Sequence, residues 1–362
     1  MNSLLFLPDI SGFTEFVQTT EVSHSQHVIA ELLEILIDAN TEGLQLAEVE
    51  GDALFFYKNE LLSAEKLLAQ IETMFTAFYS HLKLLEKNRI CPCKACSSAP
   101  NLKLKIVAHC GEIEFITIKG KQKPFGKEVI EAHRLLKNMV ESDEYVLLSE
   151  TLLKEIKLPI DYSSVLFSFR QEKEFYDGVL IPYVYSLINI ENLKLKPFEF
   201  AKEVEMVKSP DIVIEKEFPL SEAKLLEYIT NYAYREKWTD GVDEFVFNSD
   251  EVTRIGTEHM CIINGKHLNF ATITKKGESN QLIYGEHSLN IPVVQELHQF
   301  FIITPLGSGR SMLRLELYFT LNTLLKKLFF QFVLKKSFQK NIKGAAENLF
   351  HFITSQEGEN KN

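Results

Sequence analysis

The sequence predicts an α+β protein built from two dissimilar domains. Two patterns and one length carry that expectation. Up to about residue 190, apolar runs and amphipathic stretches follow the order strand-helix-strand-strand-helix-strand. Beyond about residue 210 the pattern becomes a series of strand-like runs closed by one long helical stretch. At 362 residues the chain is long for one typical domain and comfortable for two. The boundaries expected are 1–190, a charged linker over 191–208 that carries Pro197, a second domain over 209–356, and a disordered tail over 357–362.

Taken in order, Leu4 to Leu7 is a short apolar run that ends at Asp9, beside Gly12. A helix starts near Thr14, and a second covers His24 to Asn40, with Val28, Ile29, Leu32, Leu33, Leu36 and Ile37 forming its apolar stripe. Leu44–Val49 and Ala53–Tyr57 read as a hairpin turning at Gly51-Asp52, and Leu61 to Leu85 as a long amphipathic helix. This is the order of a split βαβ, ferredoxin-like unit. Leu102 to Cys110 is the next strand and leads through Gly111 into Glu112–Lys119; a helix begins at Gly126; strands near Val165–Arg170 and Leu180–Leu187 close the domain.

Asp9 and Asp52 are therefore held on strand ends. Such carboxylates suit Mg²⁺, which takes one or two of them together with substrate phosphate oxygens. The plainer reading is that each Asp only makes a turn. The loop Cys91-Pro92-Cys93-Lys94-Ala95-Cys96 brings three thiols together, which suits Zn²⁺ if a fourth N or S ligand completes a tetrahedron. Alternation along Leu102–Cys110 puts Cys110 with the core and His109 on the other face, so His109 or His81 is the expected fourth ligand. Thiols without metal, or a redox-sensing loop, are the alternatives.

In the second half, Asp211–Phe218 is a strand, Leu220–Tyr228 and Tyr234–Trp238 are short helices, and six strand-like runs follow between Val242 and Thr320. A helix from about Leu324 to Ile353 ends the pattern. Trp238, Phe301, Leu317, Phe319, Phe329 and Phe332 are expected to line an apolar pocket for a hydrophobic or lipid-like molecule, with an ordinary packed core as the plainer reading. Glu258, His259, His287 and His298 would add polarity. No acid/base pair is visible for an enzyme acting in that pocket. The last helix is basic and amphipathic, a pattern that can lie on an anionic membrane. Since the sheet needs its apolar face, a solvated lysine face is expected instead.

A net charge of −11 argues against broad nucleic-acid binding, which needs a basic surface to displace counterions. No apolar run is long enough to be a transmembrane segment and no secretory leader pattern opens the chain, so a cytoplasmic location is expected. Five cysteines, an odd number, do not read as a secreted disulfide framework.

The boxes Phe6-Leu-Pro-Asp9-Ile-Ser-Gly-Phe-Thr14 and Gly51-Asp52-Ala53 resemble those of class III nucleotidyl cyclase catalytic domains. Gly126-Lys-Glu-Val129-Ile130-Glu-Ala132-His-Arg134-Leu135 is similar to the helix segment of that family. The resemblance implies that Asp9, the Ile10 carbonyl and Asp52 bind two Mg²⁺ or Mn²⁺ ions. It also implies that Arg134 stabilises charge on the transferred phosphorus, and that Glu48 and Lys123 stand at the purine-reading positions. A purine nucleoside triphosphate would bind at the interface of a homodimer. Two positions depart from the pattern. Ile130 replaces the ribose-orienting Asn, and Asp177 stands near the place of the triphosphate-binding Lys. Residues 210–355 resemble the helix-grip fold of START-like and polyketide-cyclase-like domains, in which a curved antiparallel sheet wraps the last helix. The combined expectation is a cyclase-like domain with weak or no turnover, coupled to a START-like ligand-binding domain. The alternative is a non-catalytic scaffold that keeps the cyclase fold for dimerisation.

Overall fold

The computed structural model describes residues 2–176, 178–197, 203–249, 251–289, 291 and 294–359. Two compact units emerge, Met1–Glu86 with Lys94–Phe198, and Lys87–Cys93 with Glu199–Asn362.

The first unit runs β1 (Ser3–Ser11), α1 (Phe13–Thr19), α2 (Val22–Asp38), β2 (Gln45–Glu50), β3 (Ala53–Lys58), α3 (Ala64–Lys87), α4 (Lys94–Ser98) and β4 (Lys103–Gly111). It continues with β5 (Glu114–Ile118), β6 (Lys121–Phe125), α5 (Lys127–Leu135), β7 (Tyr145–Ser149), α6 (Glu150–Ile156), β8 (Arg170–Tyr176) and β9 (Val179–Leu187). Seven strands form one sheet in the order β2-β3-β1-β4-β7-β9-β8. All neighbours are antiparallel except β4 and β7.

Strand β1 lies between β3 and β4, and Leu4, Leu5, Phe6, Leu7 and Ile10 on it are fully buried. Both faces of the sheet are covered at this point, which is why the run reads as continuous rather than alternating. Helix α3 contributes Leu67, Ile71, Met74, Phe75, Phe78 and Leu82, all buried at helical spacing. On the opposite side, Ala132 and Leu135 of α5 pack with Leu5, Leu7, Val107, Tyr145 and Leu147.

Three elements differ from the expectation. Strand β5 does not extend the sheet after β4 but pairs with β6 in a separate two-stranded ribbon. The turn between them places both Lys119 and Gly120 at positive φ, 49° and 78°, the geometry that tight two-residue hairpins require. Strand β7 escaped notice because its five residues are all buried, leaving no alternation to read. The strand expected near Val165–Arg170 lies at Arg170–Tyr176. Asp177 falls outside the described residues.

The second unit runs β10 (Ile212–Phe218), α7 (Glu222–Thr230), α8 (Tyr232–Trp238), β11 (Glu244–Val246), β12 (Glu258–Ile263), β13 (Lys266–Ile273), β14 (Leu282–Leu289), β15 (Glu296–Gly307) and β16 (Arg310–Thr320). It ends in α9 (Leu324–Phe329), a π turn (Phe330–Leu334) and α10 (Lys335–Glu359). Its sheet is antiparallel throughout, in the order β10-β16-β15-β14-β13-β12-β11. Phe218, Tyr284, Phe301, Ile303 and Leu315 on one face pack with α7, α8 and with Ala346, Leu349 and Ile353 of α10. The tail expected to be disordered is helical as far as Glu359, and 360–362 lie outside the described residues. So do 198–202 of the expected linker.

Candidate functional site

Asp9 stands opposite Ala53 of β3 and Lys105 of β4. Gly51, at a φ of 70°, makes the turn that carries Asp52, and the Ile10 amide donates to the Asp52 carbonyl at 3.1 Å. The two acids are thus brought to one end of the sheet. Burial raises the pKa of Asp9, with Lys105 opposing and the Asp52 charge adding to the rise. Burial likewise raises Asp52. Lys105 Nζ lies 3.2 Å from Asp9 Oδ2. Sequence reasoning missed this lysine. Its alternation with buried Leu104 and Ile106 placed it on a strand, but only the register shows that it faces Asp9.

Glu48 and Lys123, expected to read a purine, form an ion pair with each other. Glu50, two residues before Asp52, has its carboxylate 3.1 Å from His133 Nε2. Arg134 lies on α5, partly buried, in the same last turn as His133. Ile130 on that helix is 56% exposed. It offers an apolar surface where the resemblance calls for an amide.

The fourth partner of the cysteine loop is corrected. His109 is fully buried elsewhere, with Nδ1 2.8 Å from Ser149 Oγ and Nε2 2.8 Å from Glu128 Oε2. His81 pairs with Glu31 at 2.8 Å. Within the first unit, the imidazole beside the last thiol of the loop, Cys96, is that of His24, near the start of α2. His24 Nδ1 is 3.5 Å from Cys96 Sγ. Nothing in the sequence spacing singled it out, because the contact is made by the tertiary fold. Other groups with metal-ligating side chains are His109 with Glu128 and Glu131, and His287 with Glu296 and His298.

In the second unit, Trp238, Phe301, Leu317 and Phe319 are buried, but Phe329 and Phe332 are not pocket-lining: they are 46% and 76% exposed. The π turn explains this, since it directs Phe330 inward onto Phe319 and Phe338 and leaves its neighbours outside. The interior also holds a buried ionic network that the sequence reading missed. Arg235 and Glu286 form an ion pair, 6% and 4% exposed at the side chains. Tyr284 Oη donates to Glu286 at 2.6 Å, and the Tyr232 hydroxyl lies 3.1 Å from that of Tyr284 and 3.0 Å from Thr272 Oγ1. Arg235 also stacks on Trp238 and Phe301, 4.8 and 5.3 Å from the ring centroids. The signal was present in the alternation of Leu282, Tyr284 and Glu286 along one face of β14.

His259 lies beside this network, 3.8 Å from Glu286 and stacked against Phe270, with neither ring nitrogen hydrogen-bonded. Burial pushes its pKa from near 6.5 down to about 4. The unfolded chain therefore takes up a proton that the folded chain refuses as pH falls. The stability contributed above pH 6.5 is lost on the way down to about 4, at about 1.4 kcal/mol per pH unit at the steepest. His259→Phe should flatten that part of the curve, as measured by urea unfolding at stepped pH. An unchanged slope would contradict the assignment.

The family described as "Protein of unknown function (DUF2652)" matches residues 29–145. An uncharacterised protein of Mycobacterium tuberculosis is 35% identical over 124 residues, which are 34% of this chain and 58% of the relative. The chain thus spans little more than half the length of that relative. Structural neighbours are class III adenylyl and guanylyl cyclase catalytic domains, over about half of the chain. The adenylyl cyclase CyaB from P. aeruginosa is 18% identical, with 52% of this chain and 94% of that chain covered and a TM-score of 0.38. The guanylate cyclase domain of RhGC from Catenaria anguillulae, solved with GTP, is 13% identical, with 52% and 97% covered and a TM-score of 0.37. Among the described residues, no helix is long and apolar enough to cross a membrane.

Proposed function

We propose that the first unit binds a divalent cation, Mg²⁺ or Mn²⁺, and a purine nucleoside triphosphate, with cyclisation slow or absent. The observation that carries this is the placing of Asp9 and Asp52 together, each with its carboxyl pKa raised by burial and Asp9 raised further by the Asp52 charge. A raised acid pKa contributes stability that is full below the ordinary Asp value and lost as pH rises through the folded value. The ionised pair therefore costs stability at neutral pH, and a divalent cation offsets that cost. Ile130 has no polar atom to orient a ribose, and the slow or absent cyclisation proposed here rests on that.

A homodimer fits the same unit. Phe115, Ile116, Ile118 and Phe125 on the β5–β6 ribbon are 37–55% exposed, and Ile130 follows them on α5. A second copy is the partner that would cover this surface.

The test is thermal unfolding with and without Mn²⁺, alongside product analysis with ATP or GTP. Mn²⁺ should raise Tm at pH 7.5 (~2–4 °C per kcal/mol of binding for a unit this size) and raise it less at about pH 5, where protons compete. Asp52→Asn should remove the gain. An equal gain in that variant would sink the assignment. The second reading, a scaffold without metal, is favoured by one observation: Lys105 already neutralises Asp9. If that reading holds, only Lys105→Met will bind Mn²⁺.

The cysteine loop with His24 is proposed as a structural Zn²⁺ site, since three thiolates and one imidazole make a closed ligand set for that ion. For the second unit, the antiparallel sheet and closing helix support a helix-grip, START-like domain. Its hydrophobic small-molecule or lipid ligand would carry one polar group, because Arg235 Nε, Trp238 Nε1 and both His259 nitrogens are buried without partners. Trp238 is the single tryptophan, so its fluorescence reports ligand entry directly.

A further inference from the structure

The segment 324–340 carries two apolar stripes, and only one of them is used. Phe330, Leu334 and Phe338 turn inward and pack with Leu317 and Phe319. The outward stripe is Leu324, Leu325, Leu328, Phe329, Phe332 and Val333, at 74%, 80%, 48%, 46%, 76% and 54% exposure. Their spacing, in pairs four apart, is that of one continuous helix face. Such side chains are rarely left in water as a contiguous patch.

The charge around the stripe is one-sided. Lys326, Lys327, Lys335, Lys336, Lys340 and Lys343 lie in this segment or just beyond it, and no Asp or Glu occurs between Glu316 and Glu347. The chain as a whole is at −11. A local cationic band on an acidic protein, wrapped around exposed Leu and Phe, matches a surface that is apolar within and anionic at its rim.

We infer that α9, the π turn and the start of α10 form a docking face for an anionic lipid bilayer. Leu324, Leu325, Leu328, Phe329, Phe332 and Val333 enter the acyl boundary, and the lysines sit among the lipid headgroups. A second copy of the chain is a poorer occupant, because a symmetric contact would bring two sets of these lysines together. Helices of this kind lie in the interface rather than span it.

Co-sedimentation of the full chain with vesicles tests this. Vesicles of phosphatidylcholine containing roughly 30% phosphatidylglycerol should bind at least tenfold more protein than phosphatidylcholine alone, and about 0.5 M salt should remove most of the difference. Phe329→Ser with Phe332→Ser should lower binding tenfold or more, with the circular dichroism spectrum unchanged because both side chains already face outward. Lys326→Gln with Lys327→Gln should lower binding to the anionic vesicles alone. Equal binding to both vesicle types, no binding at low salt, or full binding by the Phe variant would each overturn the inference. So would light scattering that shows a dimer dispersed by the Phe variant without any vesicle binding.

Discussion

Glu286→Ala should lower the unfolding free energy of the second unit by about 3–5 kcal/mol, the usual cost of leaving one half of a buried ion pair behind. Arg235 would then stay charged inside an apolar core, because guanidinium does not give up its proton there. Its contacts with the faces of Trp238 and Phe301 are too weak to compensate fully. The Tyr284 hydroxyl would lose its acceptor as well. Urea unfolding followed by the fluorescence of Trp238 reads this unit in isolation, since Arg235 lies against that ring. Replacing both partners with apolar residues, Arg235→Met with Glu286→Leu, should recover much of the loss. A single variant within about 1 kcal/mol of the parent would mean that the pair is solvated in solution.

The second large effect concerns the cysteine loop. The purified chain should hold one equivalent of Zn²⁺, and Cys96→Ser or His24→Ala should release it. A metal held at a hundredfold excess over its Kd contributes about 2.7 kcal/mol, or roughly 5–10 °C in Tm for a unit of this size. A strong chelator should impose the same fall on the parent chain and none on the variants. His109→Ala is the informative control. It removes a buried imidazole bonded to Ser149 and Glu128 and should leave the zinc content intact. Zinc that follows His109 rather than His24 would reverse the assignment made here.

How much of this could be read from the chain depended on whether the signal was local. The strand that carries Asp9, the Gly51-Asp52 turn and the long helix α3 follow from short-range patterns; the strand runs two residues past Asp9, to Ser11, and the other two lie close to where they were expected. The antiparallel run of the second half was equally legible from its alternation. Partners across the fold were not. Lys105 beside Asp9, His24 beside Cys96 and Arg235 beside Glu286 join residues whose separation in sequence carries no periodic trace. The apolar pocket was misdrawn at Phe329 and Phe332 because one regular helix was assumed, which would have put a single stripe against the sheet. Alternation along β14 does identify Glu286 as inward-facing, but only the fold shows that Arg235 stands against it.

The π turn at Phe330–Leu334 has one more consequence. A turn with a wider hydrogen-bonded ring is equivalent to one residue inserted into an α-helix, and each residue advances the helix by about 100°. The two ends of this helix are therefore out of phase by design of the chain, and the offset is held by a single residue. Deleting Gln331 would restore regular winding and swing Leu324, Leu325 and Leu328 by that angle while Leu349 and Ile353 stay anchored. The segment behaves as a dial with one notch. A length change there would reorient a whole face without altering any side chain on it.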